Sequence, residues 1–324
     1  MIKYISRHEK DYSRYNIIKA LLKEATCKND VYLLLPFSKN QFIKHFFKRD
    51  KIINDFFISN YDTYVHDRKK ISKYNPRAWW KFFQDWFNFR FTKFILSDTK
   101  KHFEYWESLF GKYRGKLLVL PVLADNTIYY LQKENQNKSN STEILFYGSF
   151  IPLHGIQIIL KALQILENNN VKFHATLIGN GQTYKKMLSL FKNLKLKNVE
   201  MNGLLIKELE LADKIRNCDI VLGIFGDSTK AKSVIPNKVY QALACKKPII
   251  TLKSSAIDEF FTDKEIIQCE NTPTLLADKL TTLIQNSELR ESIATNGYNK
   301  YINLYNDTQK NLINFINIVS EENK

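Results

Sequence analysis

The chain has 324 residues, of which 44% are hydrophobic and 25% charged. This composition excludes an intrinsically disordered protein, and the length favours two domains over one. The formal net charge is +16, and residues 1–140 carry 27 basic and 14 acidic side chains, so this half alone contributes +13; such an excess predicts that it faces an anionic partner, either phosphate-bearing lipid or nucleic acid.

Several segments and site types are excluded by the pattern of residues. The first eight residues contain no long apolar run, and no segment approaches the roughly 18 uninterrupted apolar residues of a membrane span. The four cysteines are widely spaced and form no CxxC pair, which argues against a zinc site and a disulfide framework. We therefore expect a cytoplasmic protein in a reducing compartment, without a metal site.

The first half predicts a small α/β domain over residues 1–135. Strands are expected at 31–35, 91–96 and 116–120, and helices at 13–25, 77–90 and 99–110. The first glycine is Gly111, so a glycine-rich phosphate loop near the N-terminus is excluded. The polar segment 132–142 (QKENQNKSNST) has no apolar period and is predicted to link two domains.

Two segments of the first half combine aromatic and basic residues. Residues 77–94 hold nine aromatic side chains among basic ones, and residues 41–57 are similar. We expect one aromatic stripe to enter the core and another to face outward with Lys and Arg, which suits an anionic bilayer. The same composition suits single-stranded nucleic acid, but no RRM, KH or helix-turn-helix pattern accompanies it.

The second half alternates strands and helices, which predicts a doubly wound parallel sheet over residues 142–305. Strands are expected at 143–147, 171–178, 199–201, 219–223 and 248–252, and helices at 156–166, 183–191, 207–216 and 237–245. Glycines stand at or just past the ends of four of these strands, where ligands of such sheets bind. A last helix at about 306–320 opens a segment, 306–324, that we expect to return to the first domain.

Two segments of the second half carry a family resemblance. They are FYGSFIPLHG (146–155) and CDIVLGIFGDSTKAKSVIPNKVYQALACKKPIIT (218–251). Both resemble retaining glycosyltransferases of the family 4 type, including the Pro-Asn-Lys variant of bacterial surface-polysaccharide transferases. The resemblance implies a GT-B fold, in which two Rossmann-like domains face a central cleft. It also implies a nucleoside-diphosphate-sugar donor, retention at the anomeric carbon, and neither a cofactor nor an obligatory metal.

The resemblance assigns donor binding to loops and helix starts of the second domain, where unpaired N–H groups favour a diphosphate. GNGQ (179–182) and NGL (202–204) resemble two further loops of the family. The donor-binding residues that it implies are Gly148, Ser149, His154, Gly155, Gly179, Gly181, Gly203, Leu204, Phe225, Gly226, Lys230, Lys232, Ser233, Pro236, Asn237, Lys238 and Gln241.

Some positions depart from the family pattern. Ser149 and His154 stand where relatives often carry an Arg and a Lys, and Gln241 stands where a Glu usually binds the ribose. Ser233 lies near the place of a second missing Glu. Lys230, Lys232 and Lys238 remain as candidate counter-charges of the diphosphate.

The first domain also resembles these transferases, over 59–69, 94–102 and 120–125. The resemblance makes it the acceptor-binding, membrane-facing domain, with His66, Asp67 and Arg68 as catalytic candidates; a solvated charged loop is the alternative. Asp98 and Thr99 are better explained as a helix N-cap.

Taken together, the sequence predicts a glycosyltransferase of the hexosyltransferase type, acting in bacterial surface-polysaccharide synthesis on a glycan or polyprenyl-linked acceptor. It would work peripherally at the inner face of the plasma membrane and bind no nucleic acid. Two alternatives remain: a nucleic-acid-binding protein that uses the basic aromatic half, and a catalytically degenerate GT-B scaffold.

Overall fold

A computed structural model of the protein describes residues 1–6, 13–132 and 141–322. These residues form two compact units: unit 1 comprises Met1–Val122 with Leu304–Lys324, and unit 2 comprises Leu123–Asn303. The first boundary therefore lies before the expected residue 135, and the second lies close to the expected residue 305. Most of the predicted linker 132–142 falls outside the described residues.

All strands are short, and all belong to parallel sheets. Those of unit 1 are β1 (Ile2–Ile5), β2 (Val31–Leu34), β3 (Ile52–Asp55), β4 (Phe94–Ser97) and β5 (Lys116–Val119). Those of unit 2 are β6 (Thr142–Tyr147), β7 (Phe173–Ile178), β8 (Val199–Asn202), β9 (Ile220–Leu222), β10 (Ile249–Leu252) and β11 (Ile267–Cys269).

Helices connect these strands. In unit 1 they are α1 (Ser13–Leu21), α2 (Asn40–Lys44), α3 (Asn60–Asp62), α4 (Pro76–Phe91) and α5 (Lys100–Phe110). The helices of unit 2 are α6 (Ile156–Asn168), α7 (Tyr184–Leu194), α8 (Glu208–Asn217), α9 (Thr229–Ser233), α10 (Asn237–Ala244) and α11 (Pro273–Gln285). The last helix, α12 (Ser287–Glu321), begins in unit 2 and ends in unit 1. None of the helices in the described ranges is both long enough and apolar enough to cross a bilayer.

The sheet of unit 1 follows the chain, in the order β1-β2-β3-β4-β5. Successive residues of a strand point to opposite faces, so the neighbours Phe94 and Ile95 of β4 enter different layers. Ile95 joins a cluster with Phe89 of α4 and Trp106 of α5. The ring of Phe94 instead meets the ring of Phe315 from α12, with centroids 5.9 Å apart. Helices therefore cover both faces of this sheet.

The sheet of unit 2 has the order β11-β10-β9-β6-β7-β8. Its strands are apolar because helices bury both faces of such a parallel sheet. The crossover helix α6 shows why the chain folds this way. Its residues Ile156, Ile159, Leu160 and Leu163 recur at helical spacing and are buried in the main core cluster.

The structure departs from the expected elements in two ways. The strands β1, β3 and β11 were not among the segments named from the sequence. The last helix is also much longer than residues 306–320, because α12 runs from Ser287 to Glu321 as one helix. Four apolar residues of its C-terminal part, Leu312, Phe315, Ile316 and Val319, are all buried.

Candidate functional site

The strand order of unit 2 reverses between β6 and β9. The chain proceeds from β6 to β7 and β8 on one side, and from β9 to β10 and β11 on the other. In open parallel sheets, ligands bind beyond the carboxyl ends of the strands at such a reversal. The loop that follows β6 and the start of α10 meet at this point, since the side chains of His154 and Lys238 are in contact there.

Two loops at this reversal touch through glycine backbones. Gly155 precedes α6 with a φ of 62°, and a Cβ on it would lie 2.4 Å from the carbonyl carbon of Phe225. A Cβ on Gly226 would lie 2.5 Å from the carbonyl oxygen of Leu153. The amide of Phe225 donates to the carbonyl of His154 at 3.1 Å, and its side chain is fully buried. Phe225 can therefore face a ligand only with its backbone.

Lys238 is a buried cation at the start of α10. Its side chain is enclosed, with the residue 5% exposed, and its Nζ lies 3.4 Å from Nε2 of His154 and 4.9 Å from the ring centre of Phe146. A Cβ on Gly148 would lie 3.1 Å from this Nζ. Within the described ranges, Lys238 has no carboxylate partner.

Burial decides the protonation of this pair. It lowers the pKa of Lys238 to about 7. Burial, and then the charge of Lys238, hold the pKa of His154 well below its ordinary value. The site thus combines a helix N-terminus with a lysine that lacks a counter-charge, and an anion is the ligand that would supply one.

Gln241 lies one turn further along α10. Its Oε1 accepts a hydrogen bond from the hydroxyl of Tyr147, the last residue of β6, at 2.9 Å, and both residues are buried. Burial raises the pKa of Tyr147 well above its ordinary value, so this hydroxyl keeps its proton. Tyr147 thereby orients the amide group of Gln241. This role was not predicted from the sequence, although Tyr147 directly precedes Gly148.

The helix α9 carries three of the predicted donor residues. Nζ of Lys232 lies 2.8 Å from a carboxylate oxygen of Asp227, and both side chains are exposed. This hydrogen bond raises the pKa of Lys232. Oγ of Ser233 donates to the carbonyl of Thr229 within the helix at 2.8 Å, while Lys230 is half-buried. A role of these three residues at a diphosphate stays a prediction.

The residues around the start of α10 differ in exposure. Pro236 precedes the helix as its cap residue, with φ −69° and ψ 148°. Asn237 opens the helix and is exposed, as is Ser149 in the loop after β6.

Three strand-end loops stack on one another at the same edge of the sheet. Gly179 has a φ of 137°, and a Cβ on it would lie 2.0 Å from the carbonyl oxygen of Gly148. A Cβ on Gly181 would lie 2.8 Å from the amide nitrogen of Phe150. The carbonyl of Gly203 accepts from the side chain of Asn180 at 3.2 Å. Leu204, which follows, is exposed.

The three catalytic candidates of unit 1 lie together around the end of a π-helix over Thr63–Asp67. The ring of His66 is exposed and meets the ring of Tyr61 edge-on, Asp67 is buried, and Arg68 is half-buried. π-Helical turns are frequent at functional sites. The catalytic role of these three residues stays a prediction.

Buried polar contacts at the carboxyl edge of the unit 1 sheet were missed from the sequence. The hydroxyl of Tyr105 donates to Asp62 at 2.6 Å, and burial together with this contact raises the pKa of Tyr105. The guanidinium of Arg14 binds Asp55 through two hydrogen bonds of 3.0 Å. The ammonium of Lys39 lies 3.1 Å from Asp85. Each pair joins residues far apart in the chain.

Two other features concern helix caps and metals. The hydroxyl of Thr99 accepts from the amide of His102 at 2.8 Å, which confirms Thr99 as the N-cap of α5. No group of three or more His, Cys, Asp or Glu residues that could hold a metal ion is found among the described residues.

Comparison with other proteins identifies the family. A family model described as "Glycosyl transferases group 1" matches residues 130–300. An uncharacterized glycosyltransferase of Methanocaldococcus jannaschii is 27% identical over 162 residues, which cover 47% of this chain and 41% of that protein. The chain thus spans less than half the length of this curated relative.

Solved structures share the fold at low identity. HepE of Anabaena, in complex with UDP and glucose, has a TM-score of 0.66 at 12% identity, covering 97% of this chain and 98% of its own. A TarM variant of S. aureus, in complex with UDP, fondaparinux and α-GlcNAc-glycerol, has a TM-score of 0.65 at 12% identity, covering 94% and 58%.

These similarities confirm a GT-B fold with two Rossmann-like domains. Because the family match covers more than half of the chain, this protein belongs to the group 1 glycosyl transferases.

Proposed function

We propose that the protein transfers a sugar from a nucleoside-diphosphate sugar to a glycan or polyprenyl-linked acceptor, with retention at the anomeric carbon and without an obligatory metal. Its place would be bacterial surface-polysaccharide synthesis, at the inner face of the plasma membrane. The finer terms, including the family 4 type, come from the sequence resemblance.

One observation supports donor binding above all others. Lys238 is buried at the reversal of the unit 2 sheet and at the start of α10, and it has no acidic partner among the described residues. A buried cation without a counter-charge is costly unless a ligand supplies the charge. A diphosphate does so, and the amides at the helix start add favourable hydrogen bonds.

The way the leaving group is stabilised follows from the same residues. As the bond between sugar and diphosphate breaks, negative charge grows on the diphosphate oxygens. Lys238 is held in place by its burial against Phe146 and His154, so it needs little rearrangement to meet that charge. Positioning of this kind and electrostatic stabilisation are the main sources of catalysis that the site offers.

Calorimetry with a panel of nucleotides tests donor binding. UDP and GDP are the first probes, since two of the solved structures of this fold contain UDP. We expect one of them to bind, and Lys238→Ala to weaken its affinity by about 1.5–3 kcal/mol, the range for a hydrogen bond to a charged group. Lys185→Ala, which removes an exposed lysine of α7, is the matched control and should leave the affinity unchanged.

Two outcomes would favour an alternative over this proposal. If single-stranded RNA stabilises the protein against heat and neither nucleotide does, the protein is a nucleic-acid binder. Nucleotide binding without donor hydrolysis or transfer, over a panel of activated sugars, would identify a scaffold. Retention is tested by the anomeric configuration of the first product by NMR, and metal independence by turnover in excess EDTA.

A further inference from the structure

The helix α4 carries a stripe of aromatic rings on one side, three of them exposed and one, Phe87, half-buried against the core. Trp80, Phe83, Phe87 and Phe91 recur at spacings of three or four residues, so they share a face. Their ring centres lie 6.3, 6.2 and 4.8 Å apart in succession. Trp80, Phe83 and Phe91 are exposed, whereas Phe89 on the other side of the helix is fully buried in the core.

The short 3-10 helix over Phe46–Lys51 extends this stripe. The ring of Phe46 lies 5.5 Å from that of Phe87 and 6.0 Å from that of Phe91. Phe47, which contacts Phe46, is 98% exposed. We call this continuous surface the aromatic ridge; it comprises Trp80, Phe83, Phe87, Phe91, Phe46 and Phe47.

Nearly all the charges around the aromatic ridge are positive. Residues 40–51 and 76–91 contain seven Lys and Arg residues and two acidic ones. One of the acidic residues, Asp85, is buried against Lys39, and only Asp50 is exposed. The guanidinium of Arg49 lies 4.7 Å from the ring centre of Phe46. The ridge is therefore apolar with a basic border.

A cavity of about 610 Å³ adjoins the aromatic ridge. Its wall includes Trp86, whose ring lies 5.7 Å from that of Phe83 and 5.9 Å from that of Phe91. Three cationic side chains, those of Arg90, Lys112 and Arg114, also line it. Arg90 donates to the carbonyl of Lys112, which orients its guanidinium.

One acidic group beside this cavity, Glu107, is engaged by a lining residue. A carboxylate oxygen of Glu107 accepts from the amide of Tyr113, a lining residue, at 2.9 Å. The cavity therefore combines an excess of positive charge with aromatic walls at the edge of an exposed apolar surface. That combination matches the phosphate headgroup of a lipid whose acyl chains meet the neighbouring rings.

We propose that the aromatic ridge docks the protein on an anionic phospholipid bilayer, with a lipid phosphate held in the cavity beside Arg90, Lys112 and Arg114. Aromatic side chains enter the interface, and the basic border meets the negative surface. Single-stranded nucleic acid fits less well. The sequence carries no RRM or KH pattern beside these rings, and the experiment below compares RNA with lipid directly.

This inference deepens the proposal of a lipid-linked acceptor, and it rests on that proposal only for its biological purpose. Its test uses no sugar transfer, so either proposal can fail alone. The experiment is co-sedimentation of the full chain with vesicles of phosphatidylcholine, with and without phosphatidylglycerol, over a range of salt concentrations. We expect binding only to the anionic vesicles, weakening as salt rises.

Two variants test the basic cavity and the apolar ridge separately. Lys112→Ala with Arg114→Ala should weaken binding about fivefold for each charge removed, the effect of one basic residue near an anionic surface. Phe47→Ala should weaken it about tenfold, near the lower limit for burying a large apolar side chain. Phe47 is almost fully exposed, and Lys112 and Arg114 are exposed, so these substitutions should not disturb folding.

The matched controls lie in unit 2. Lys185→Ala with Lys186→Ala also removes two exposed charges, and Leu275→Ala truncates an exposed apolar residue. Equal binding to neutral vesicles, or equal losses in the variants and their controls, would overturn the proposal. So would tighter binding to single-stranded RNA than to vesicles, or self-association that Phe47→Ala abolishes while vesicle binding persists.

Discussion

At the scale of single residues, the protonation of Lys238 links donor binding to pH. Burial lowers the pKa of its amine to about 7, so the amine is mostly neutral above that pH in the ligand-free protein. A bound diphosphate favours the charged form and raises this pKa. Binding above pH 7 must therefore take up a proton, and the affinity should fall as pH rises.

We expect the affinity for the bound nucleotide to drop by up to about tenfold per pH unit above pH 7, the limit for uptake of one proton. Calorimetry in buffers of different ionisation enthalpy measures that proton directly. Lys238→Met should bind more weakly but lose the dependence. An affinity that stays constant from neutral to alkaline pH would refute the link.

The buried hydrogen bond between Tyr147 and Gln241 is expected to stabilise the protein. Gln241→Leu removes the acceptor and leaves a buried hydroxyl unpaired, so the free energy of unfolding should fall by about 1–3 kcal/mol. Adding Tyr147→Phe removes that hydroxyl and should restore part of the loss. Denaturant unfolding of the two single variants and the double variant closes the cycle, and strictly additive losses would count against the contact.

At the scale of elements, the contact between loops at the sheet reversal depends on Gly155. An alanine there has a φ of 62° and a Cβ 2.4 Å from backbone atoms of Phe225, which no rotamer change relieves. Gly111 is the matched control, because it has a φ of 86° but no atom within 4 Å of its Cβ position. The ψ of Gly111 is 165°, in a region that only glycine adopts readily, whereas Gly155 has a left-handed helical ψ of 36°. An alanine at Gly111 therefore carries at least as much backbone strain, and only an alanine at Gly155 adds the clash.

We expect Gly111→Ala to lower the free energy of unfolding by about 1–3 kcal/mol from strain alone without changing the affinity for nucleotide, and Gly155→Ala to lower the free energy of unfolding as well. Gly155→Ala should also weaken nucleotide binding, since it displaces the start of α6 from the loop that holds Phe225. Thermal unfolding and calorimetry measure both effects. A nucleotide affinity that falls equally in both variants, or in neither, would show that the loop contact does not shape the binding site.

The strands that the sequence predicts best are those with continuous apolar runs that end at a glycine. β6 is the clearest case, with four apolar residues in succession before Gly148, and it lies in the interior of the unit 2 sheet. β3 was missed because Asn54 and Asp55 interrupt its apolar pattern. Their polar groups are satisfied by Thr92 and Arg14, which lie far away in sequence. Only the folded chain shows these partners.

In the candidate site, too, local patterns were predicted from the sequence and long-range contacts were not. The glycines, His154 and Lys238 stand in local motifs, so the sequence identified them as a group. The contacts between them are not local. Lys238 and His154 are 84 positions apart in the sequence, and Gln241 and Tyr147 are 94 positions apart. The pKa of Lys238 depends in turn on its burial, which no local pattern specifies.

At the scale of the whole molecule, the helix α12 belongs to both compact units. Gly297 lies within this helix, and a glycine normally weakens a helix. Here a Cβ would lie 2.6 Å from a methyl carbon of Leu243 and 2.8 Å from the carbonyl oxygen of Glu265, so only glycine fits. Residues from Leu304 onward belong to unit 1, where Leu312, Phe315 and Ile316 are buried. The core of unit 1 is therefore completed by the end of the chain.

This arrangement predicts that the end of α12 stabilises unit 1 specifically. Phe315→Ala removes a nearly buried ring that contacts Phe94 of β4, and should lower the free energy of unfolding of that unit by about 3 kcal/mol. Ile318→Ala, at an exposed position of the same helix, is the control. Native-state hydrogen exchange should show faster exchange of β4 amides and unchanged exchange of β6 amides. Equal acceleration of both strands would mean that the two units unfold together.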